Sequence, residues 1–128
     1  MHDVSVMIFK IVPASLWAAA EAAGHFTGSP VDVADGFIHF STSAQVRETA
    51  KKHFAGQADL LLAAVPAAAL GEELRWEPSR GGDPFPHLYG VLPLTAMAWV
   101  TPLPLGEDGH HVFPPLDGGD GQVPIESA

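Results

Sequence analysis

The stretch FIHFSTSAQVRETAKKHF, at residues 37–54, joins a short strand directly to an amphipathic helix. Its first five residues are mostly aromatic or β-branched, which is typical of a strand. Thr42 and Gln45 then stand at the spacing of a capping box, and apolar residues recur at helical intervals as far as Phe54. This pattern predicts a helix that begins at Thr42, immediately after the strand.

The segments on either side continue this mixture of strands and helices, which predicts one domain of mixed α and β structure. The apolar run at residues 60–65 favours a strand that is covered on both faces and lies at the centre of a sheet. Further strands are predicted at residues 4–12, 74–77 and 94–101, a helix at residues 13–23, a helical turn at residues 67–70, and loops at residues 28–36 and 79–90.

The length of 128 residues is that of one ordinary domain, and the apolar content of 47% is enough for a hydrophobic core. Cysteine is absent, which excludes disulfides, thiolate metal sites and thiol nucleophiles. We predict a single compact domain over residues 1–106. Residues 107–128 form a Gly/Pro-rich tail that we expect to add little to the core.

Composition also limits the partners that we expect. No apolar run approaches the roughly 18 residues of a membrane span, and the first ten residues lack the pattern of a secretion signal. We therefore expect a cytoplasmic protein, monomeric or weakly dimeric, with no membrane partner. The formal net charge of −9 argues against an extended nucleic-acid surface, whereas a small anionic or nucleotide ligand is compatible with the few grouped cations.

The first candidate site lies at the end of the predicted strand. Side chains alternate between the two faces of a strand, so Phe37, His39 and Ser41 share one face and the apolar pair Ile38 and Phe40 takes the other. A helix that begins at Thr42 would offer free backbone N–H groups to an anion beside Ser41. We take His39 as a candidate catalytic residue, and Ser41 and Thr42 as candidate ligand-binding residues. In the alternative interpretation, the Ser-Thr pair only caps the helix and His39 is a half-buried structural histidine.

A second group of polar residues follows later in the chain. Arg75 and Glu77 alternate onto one face of their predicted strand, and His87 and Tyr89 also share a face if they are extended. Two histidines with a carboxylate and a phenol suit acid–base chemistry near neutral pH. A surface pair between Arg75 and Glu77 is the alternative. The candidate catalytic residues here are Glu77 and His87, and the candidate ligand-binding residues are Arg75, Arg80 and Tyr89.

We predict no metal site and assign no cofactor from motifs. His110 and His111 are adjacent, but no third ligand stands at a recognised spacing. The pair Gly81 and Gly82 lacks the lysine and hydroxyl residue of a phosphate loop, and no fingerprint of spaced glycines occurs.

Several segments together resemble a known family. They read IFKIV at residues 8–12, DGFIHFST at residues 35–42, LRWE at residues 74–77 and FPHLYG at residues 85–90. In their order over residues 8–109, the chain resembles the bacterial domain-of-unknown-function family 952. The resemblance implies an α+β fold similar to the ADP-ribosyltransferases and RNA phosphotransferases. Such a fold has split, curved β-sheets, two early helices, and a cleft for a nicotinamide dinucleotide between the sheets.

The resemblance also implies roles for individual residues. In those enzymes a first-strand His or Arg holds the cofactor ribose, and the matching position here carries Lys10. Residues 39–42 are similar to the strand-end His or Ser-Thr-Ser pattern. By the same resemblance, Tyr89 would stack on the nicotinamide. Glu77 would replace the late carboxylate that steadies the ribose hydroxyl as an oxocarbenium-like centre develops.

Three functions are consistent with these features. In the first, an ADP-ribosyltransferase-like domain binds a nucleotide, with NAD as a candidate substrate, and transfers or hydrolyses a group from it. In the second, the same cleft is a non-catalytic binding module for a small anionic metabolite or a modified terminus. In the third, the chain is a protein-interaction domain whose polar segments only shape a loop. The predicted cleft is lined by His39, Ser41, Arg75, Glu77, Arg80, His87 and Tyr89.

Overall fold

A computed structural model of the chain describes residues 6–78 and 83–116. Short strands and helices alternate along both parts. The strands are β1 (Met7–Pro13), β2 (His25–Phe26), β3 (Ile38–His39), β4 (Ser41–Thr42), β5 (Leu60–Pro66), β6 (Leu74–Pro78), β7 (Pro84–Leu88), β8 (Leu92–Pro93) and β9 (Trp99–Leu103). The helices are α1 (Ala14–Ala23), α2 (Pro30–Asp35) and α3 (Val46–His53), with 3-10 segments at Ala67–Glu73 and Leu94–Ala96.

The strands form separate antiparallel sheets, so the chain has a mixed α+β fold. The main sheet has the order β4-β1-β5-β9, the second sheet has the order β3-β7-β6, and β2 pairs with β8. Strand β5 lies between β1 and β9, which confirms the central position predicted from its apolar run. Because β3 and β4 are nearly consecutive in the chain, the segment that contains them passes from the second sheet to the main one.

The two faces of the main sheet pack against different apolar clusters. Ile8 and Val12 belong to the cluster that also contains residues of α1 and of the second sheet. Phe9 and Ile11, on the other face of β1, pack with residues of α3. Lys10 shares the parity of Ile8 and Val12, so its side chain leaves β1 on the face that is turned toward the second sheet.

The first helix begins and ends almost as the sequence predicts. Pro13 is extended and precedes the first helical residue. Gly24 closes the helix in the left-handed conformation, with φ of 89°, and its N–H donates to the carbonyl of Ala20 at 2.7 Å. Within the residues that the structure describes, none of the helices has both the length and the apolar character needed to cross a bilayer.

The strand predicted at residues 37–41 is divided between two sheets, and this shifts the start of the next helix. Thr42 pairs with Ile8 in the main sheet, which keeps its backbone extended. The N–H of Thr42 donates to Oε1 of Gln45, and the N–H of Gln45 donates to the carbonyl of Thr42, both at 3.0 Å. These bonds close a turn, and helix α3 begins at Val46 rather than directly after Thr42.

Two predicted loops contain regular structure. Residues 28–36 include α2, and residues 84–88 form β7. Prolines obscured β7 in the sequence, yet the strand pairs with β3 on one side and β6 on the other. A strand was predicted at residues 94–101. The structure instead has a 3-10 turn at Leu94–Ala96, and the strand, β9, begins only at Trp99. Arg80, together with the rest of residues 79–82, lies outside the described residues.

The segment after Gly106 also differs from expectation. Leu105 bridges His111, Leu116 is 9% exposed, and Phe113 packs against the apolar cluster around α3. The expectation that residues beyond Gly106 add little to the core is therefore wrong for Phe113 and Leu116. Residues 117–128 lie outside the described part of the chain.

Candidate functional site

Helix α2 places Asp32 at the centre of a polar network that the sequence analysis did not find. Ser29 caps this helix, Pro30 occupies its first turn, and the N–H of Ser29 donates to Oδ2 of Asp32 at 2.8 Å. Ser29 and Asp32 form a capping box, which their spacing in the sequence could have revealed. The surrounding Gly and Pro residues instead favoured a loop. Asp32 is only 1% exposed.

Asp32 accepts hydrogen bonds from two strands as well as from its own helix. Nζ of Lys10, on β1, lies 3.1 Å from Oδ1 and 3.0 Å from Oδ2. On β3, the N–H of His39 donates to Oδ1 at 3.1 Å, and Nδ1 of the same residue lies 2.6 Å from Oδ1. A carboxylate can only accept, so Nδ1 of His39 carries the proton of this bond. Asp32 thereby fixes the orientation and tautomer of His39.

The surroundings of Asp32 decide its ionisation. Burial alone would raise the pKa of Asp32, but the hydrogen bond from His39 and the charge of Lys10 outweigh it and hold that pKa well below its usual range. Burial lowers the pKa of Lys10, and the charge of Asp32 opposes this shift. The two side chains form a buried ion pair that links the main sheet to α2.

Two glycines let the backbone pass close to Asp32. A Cβ atom on Gly28, which has φ of 120°, would lie only 2.8 Å from Cβ of Asp32. Gly36 has φ of 89° and donates its N–H to the carbonyl of Asp32 at 2.9 Å, which ends α2 and directs the chain into β3. Both positions therefore favour glycine for a structural reason.

The other ring nitrogen of His39 meets a second carboxylate. Nε2 lies 2.9 Å from Oδ2 of Asp35, four residues earlier and at the end of α2. The Asp35 side chain is 48% exposed, in contrast to the buried Asp32. Both contacts together require a ring that donates from both nitrogens, whereas a ring with one proton keeps the bond to Asp32 and releases Asp35.

His87 has a carboxylate partner of its own. It pairs directly with His39 across β3 and β7, and its Nδ1 lies 2.7 Å from Oε1 of Glu77. The hydroxyl of Tyr89 donates to the same oxygen at 2.8 Å. The hydrogen bonds from His87 and Tyr89 lower the pKa of Glu77, and the bond to Glu77 raises the pKa of Tyr89. Nδ1 of His87 is thus held, and no described residue bonds its Nε2.

Phe37 brings the two histidine rings together. Its ring stacks on His87 with a centroid distance of 4.1 Å and an interplanar angle of 26°, and it lies 4.6 Å from the ring of His39. The two imidazoles are 5.5 Å apart in an edge-to-face arrangement. Strand pairing and a shared aromatic neighbour therefore place both rings in one small region.

Both histidines line one cleft of about 590 Å³. Lys10 and Ser41 also line it, and the hydroxyl of Ser41 lies 3.0 Å from that of Thr49. Its apolar surface comes from residues of β1, α1 and α2, together with phenylalanines that follow β3 and α3 or lie in β7. This surface includes Phe9, Ile11, Pro13, Leu16, Pro30, Val31, Phe40, Phe54 and Phe85.

Not every predicted site residue lies in this cleft. Glu77 is turned toward His87, and the exposed Arg75 lies with its guanidinium 4.9 Å from the ring centroid of Tyr89. None of these three residues, Arg75, Glu77 and Tyr89, lines the cleft. The alternative interpretation was a surface ion pair between Arg75 and Glu77, and the described ion pairs do not include it. Oε1 of Glu77 is instead bonded to His87 and Tyr89.

The anion-binding site predicted at Thr42 depends on a helix that begins at this residue, and that prediction is wrong. Thr42 lies in a strand, its N–H is bonded to Gln45, and helix α3 begins further along the chain. Among the described residues, no group of three or more histidine and acidic side chains is arranged to hold a metal ion.

Comparison with protein families places the chain in one family. Residues 11–100 match a family described as "Protein of unknown function (DUF952)". The chain belongs to this family. The matched part includes both histidines and three of their partners, Asp32, Asp35 and Glu77. It leaves out Lys10 by a single residue.

Solved structures similar to this DUF952 chain come from protein CC0527 of Caulobacter crescentus. Its X-ray crystal structure is 51% identical, covers 83% of this chain and 93% of its own, and superposes with a TM-score of 0.80. Its solution NMR structure is 52% identical, covers 81% and 90% of the two chains, and gives a TM-score of 0.74. No curated protein matches the chain.

Proposed function

We propose that this DUF952 domain binds a nucleotide such as NAD in the cleft, and that His39 and His87 take part in transferring or hydrolysing a group from it. One observation carries the proposal. Two histidines line the same cleft with rings 5.5 Å apart, and each is held at Nδ1 by a carboxylate, at 2.6 Å for His39 and 2.7 Å for His87. This arrangement leaves Nε2 of His87 for proton transfer, whereas Nε2 of His39 becomes available once the ligand displaces the exposed Asp35.

The chemistry of such a pair suits attack by a hydroxyl group. As an oxygen of water or of an acceptor bonds to the reacting atom, its proton passes to Nε2 of one histidine. For NAD, the bond between ribose C1′ and the nicotinamide nitrogen breaks, and its electron pair leaves with the neutral nicotinamide. Hydrolysis then yields ADP-ribose, nicotinamide and one proton, which the histidine releases to solvent. His87 is the better base, because no described residue occupies its Nε2.

The sheet arrangement supports an ADP-ribosyltransferase-like fold for this domain. Most of the antiparallel strands are split between the main and second sheets, and the cleft is lined from both of these. By the resemblance, Lys10 takes the first-strand position where those enzymes have the His or Arg that holds the ribose, although here its ammonium pairs with Asp32. The apolar wall of the cleft suits a flat base or a nicotinamide ring.

A second candidate is a binding module without turnover, and Asp35 favours it. Its carboxylate already occupies Nε2 of His39, the atom that catalysis would use. In such a module the ligand would replace Asp35 as the hydrogen-bond partner of His39. It would later dissociate without having reacted. Asp35→Asn separates the two candidates, because loss of the competing charge should speed turnover in an enzyme and only tighten binding in a module.

The test is product analysis with matched variants. The protein is incubated with NAD and other nucleotides, and released products are identified by mass spectrometry. We expect His39→Asn and His87→Asn each to lower turnover by about 100-fold or more, the usual contribution of a positioned acid or base. His25→Asn, at an exposed histidine outside the cleft, is the control and should keep full turnover. Turnover that survives both cleft substitutions would refute the catalytic role.

A further inference from the structure

A second cleft lies between helix α3 and the segment that follows β9. It has a volume of about 440 Å³ and is separate in its lining from the cleft that holds His39 and His87. Charged and ring side chains dominate its wall. The polar and aromatic members of that wall are Arg47, Glu48, Lys51, His110, His111 and Phe113.

One wall of this cleft is fixed by a hydrogen-bonded turn. The N–H of Gly106 donates to the carbonyl of His110 at 2.7 Å, and the N–H of Val112 donates to that of Pro104 at 2.8 Å. Nε2 of His111 lies 2.8 Å from the carbonyl of Gln57. A carbonyl only accepts, so Nε2 of His111 carries a proton and Nδ1 is left for another partner. The concave shape is therefore preformed.

The charges of the cleft are predominantly positive in an acidic chain. The protein has six Lys and Arg residues and a net charge of −9, yet two of the six, Arg47 and Lys51, line this cleft, and Lys52 follows on the same helix. Glu48 lies 3.4 Å from Lys52 and so has its own cation. Among the described residues Lys51 has no acidic partner, and the guanidinium of Arg47 is held over the Phe113 ring at 5.2 Å from its centroid.

We infer that this cleft is a second binding site, for a small polyanion that presents several phosphate or carboxylate oxygens. Arg47 supplies a planar fork of donors that suits two oxygens of one group, and Lys51 supplies a point charge beside it. His110 completes the wall with a ring N–H that can also donate, whereas the N–H of His111 is already bonded to Gln57. The net negative charge of the protein would repel such a ligand elsewhere on the surface, so binding depends on the local positive charges of Arg47 and Lys51.

The test uses inorganic pyrophosphate and citrate as separate probes, titrated into the full chain at low ionic strength and followed by two-dimensional NMR of the backbone amides. Saturable shifts should concentrate at α3 and at residues 104–113. Tighter binding of pyrophosphate would identify a phosphate-bearing ligand, and tighter binding of citrate would identify a polycarboxylate.

Neighbouring lysines provide the matched variants. Lys51 lines the cleft and Lys52 does not, although both are exposed and belong to the same turn of α3. We expect Lys51→Ala to weaken pyrophosphate binding by about five- to tenfold, whereas Lys52→Ala should weaken it by a clearly smaller factor, because Lys52 lies outside the cleft and acts only through its exposed pair with Glu48. Arg47→Gln should weaken binding at least as much as Lys51→Ala, with an intact spectrum elsewhere.

Three outcomes would overturn the inference. The first is the absence of saturable shifts with either probe at about 10 mM, a level at which even a weak site with millimolar affinity is filled. The second is an equal effect of Lys51→Ala and Lys52→Ala, which would mean general attraction to the helix. The third is a set of shifts centred on His39 and His87, which would place the anion in the other cleft.

Discussion

Asp32 is the residue on which the ordering of the first cleft depends. Its carboxylate receives the Lys10 ammonium, the imidazole and backbone N–H of His39, and the backbone N–H of Ser29. The charge is buried, and it is tolerated because every bond it needs is supplied by the protein. Removing the charge would leave Lys10 buried beside a neutral group.

Asp32→Asn should therefore destabilise the protein by about 3 kcal/mol or more, the usual cost of removing one member of a buried ion pair. Asp35→Asn on the same helix is the control and should change stability by less than about 1 kcal/mol, because its partner interaction is largely exposed. The free energy of unfolding in urea measures both. Equal effects would mean that the Lys10–Asp32 pair contributes no more than a surface contact.

Glu77 gives a pH-dependent prediction at the residue scale. Its pKa in the folded protein is lowered by the hydrogen bonds from His87 and Tyr89, so its ionised form stabilises the fold at neutral pH. That contribution is lost as the pH falls through the ordinary range of a glutamate, about 4.3, toward the lower folded value. The difference in unfolding free energy between the wild type and Glu77→Gln should therefore shrink below about pH 4. A difference that stays constant from pH 7 to pH 3 would contradict this.

The candidate site could be predicted from the sequence in part. Strand parity and the polar residues of two segments led to His39, Ser41 and His87, which all line one cleft. Strand parity could not show that Glu77, which lies outside the cleft, bonds with His87 and Tyr89. Parity predicts which face of a strand a side chain is on, but it does not predict which residue that side chain contacts. Asp32 was missed because its helix has only six residues within a Gly/Pro-rich stretch.

At the scale of elements, the spacing typical of a capping box occurs twice in this chain, at Ser29 with Asp32 and at Thr42 with Gln45, and it leads to a helix cap in only one of the two places. Ser29 caps α2, whereas Thr42 lies in β4 and its N–H bonds to Gln45 in a turn. Both spacings look alike in sequence. The strand partner decides, since pairing with Ile8 keeps Thr42 extended.

Ser29→Ala should accordingly cost about 1 kcal/mol through loss of the cap, whereas Thr42→Ala should cost less than about half of that, because Thr42 is not the cap of α3. Thermal unfolding of the two variants under one condition measures the contrast. A larger loss at Thr42 would show that helix α3 extends back to it in solution.

The segment after β9 also acts as an element of the fold. Leu116 is buried against the cluster around α3, whereas Val112 is 56% exposed. Leu116→Ala should lower the unfolding free energy by about 2 kcal/mol or more, and Val112→Ala by less than about 0.5 kcal/mol. Similar small losses at both positions would mean that the segment is not packed in solution. Composition alone could not predict this packing, because two apolar residues suffice to anchor a Gly/Pro-rich segment.

At the scale of the whole molecule, the main features of the α+β fold follow from apolar patterning. The central position of β5 and the limits of α1 were predictable, because continuous apolar runs and Pro/Gly punctuation are local signals. The division of residues 37–42 between two sheets was not predictable, because it depends on which distant strands they meet. That division matters for the site: it places His39 opposite His87 while Ser41 joins β1.

We propose that His39 and His87 present their Nε2 atoms to one nucleotide ligand, which displaces Asp35 from His39. Long-range proton–nitrogen NMR of the imidazole rings tests it most directly, with NAD titrated into the protein. We predict that both Nε2 resonances shift with one common saturation curve, while both Nδ1 resonances keep the signature of a proton donated to a carboxylate. If NAD leaves both rings unchanged, or shifts only His110 and His111, the first cleft is not the nucleotide site.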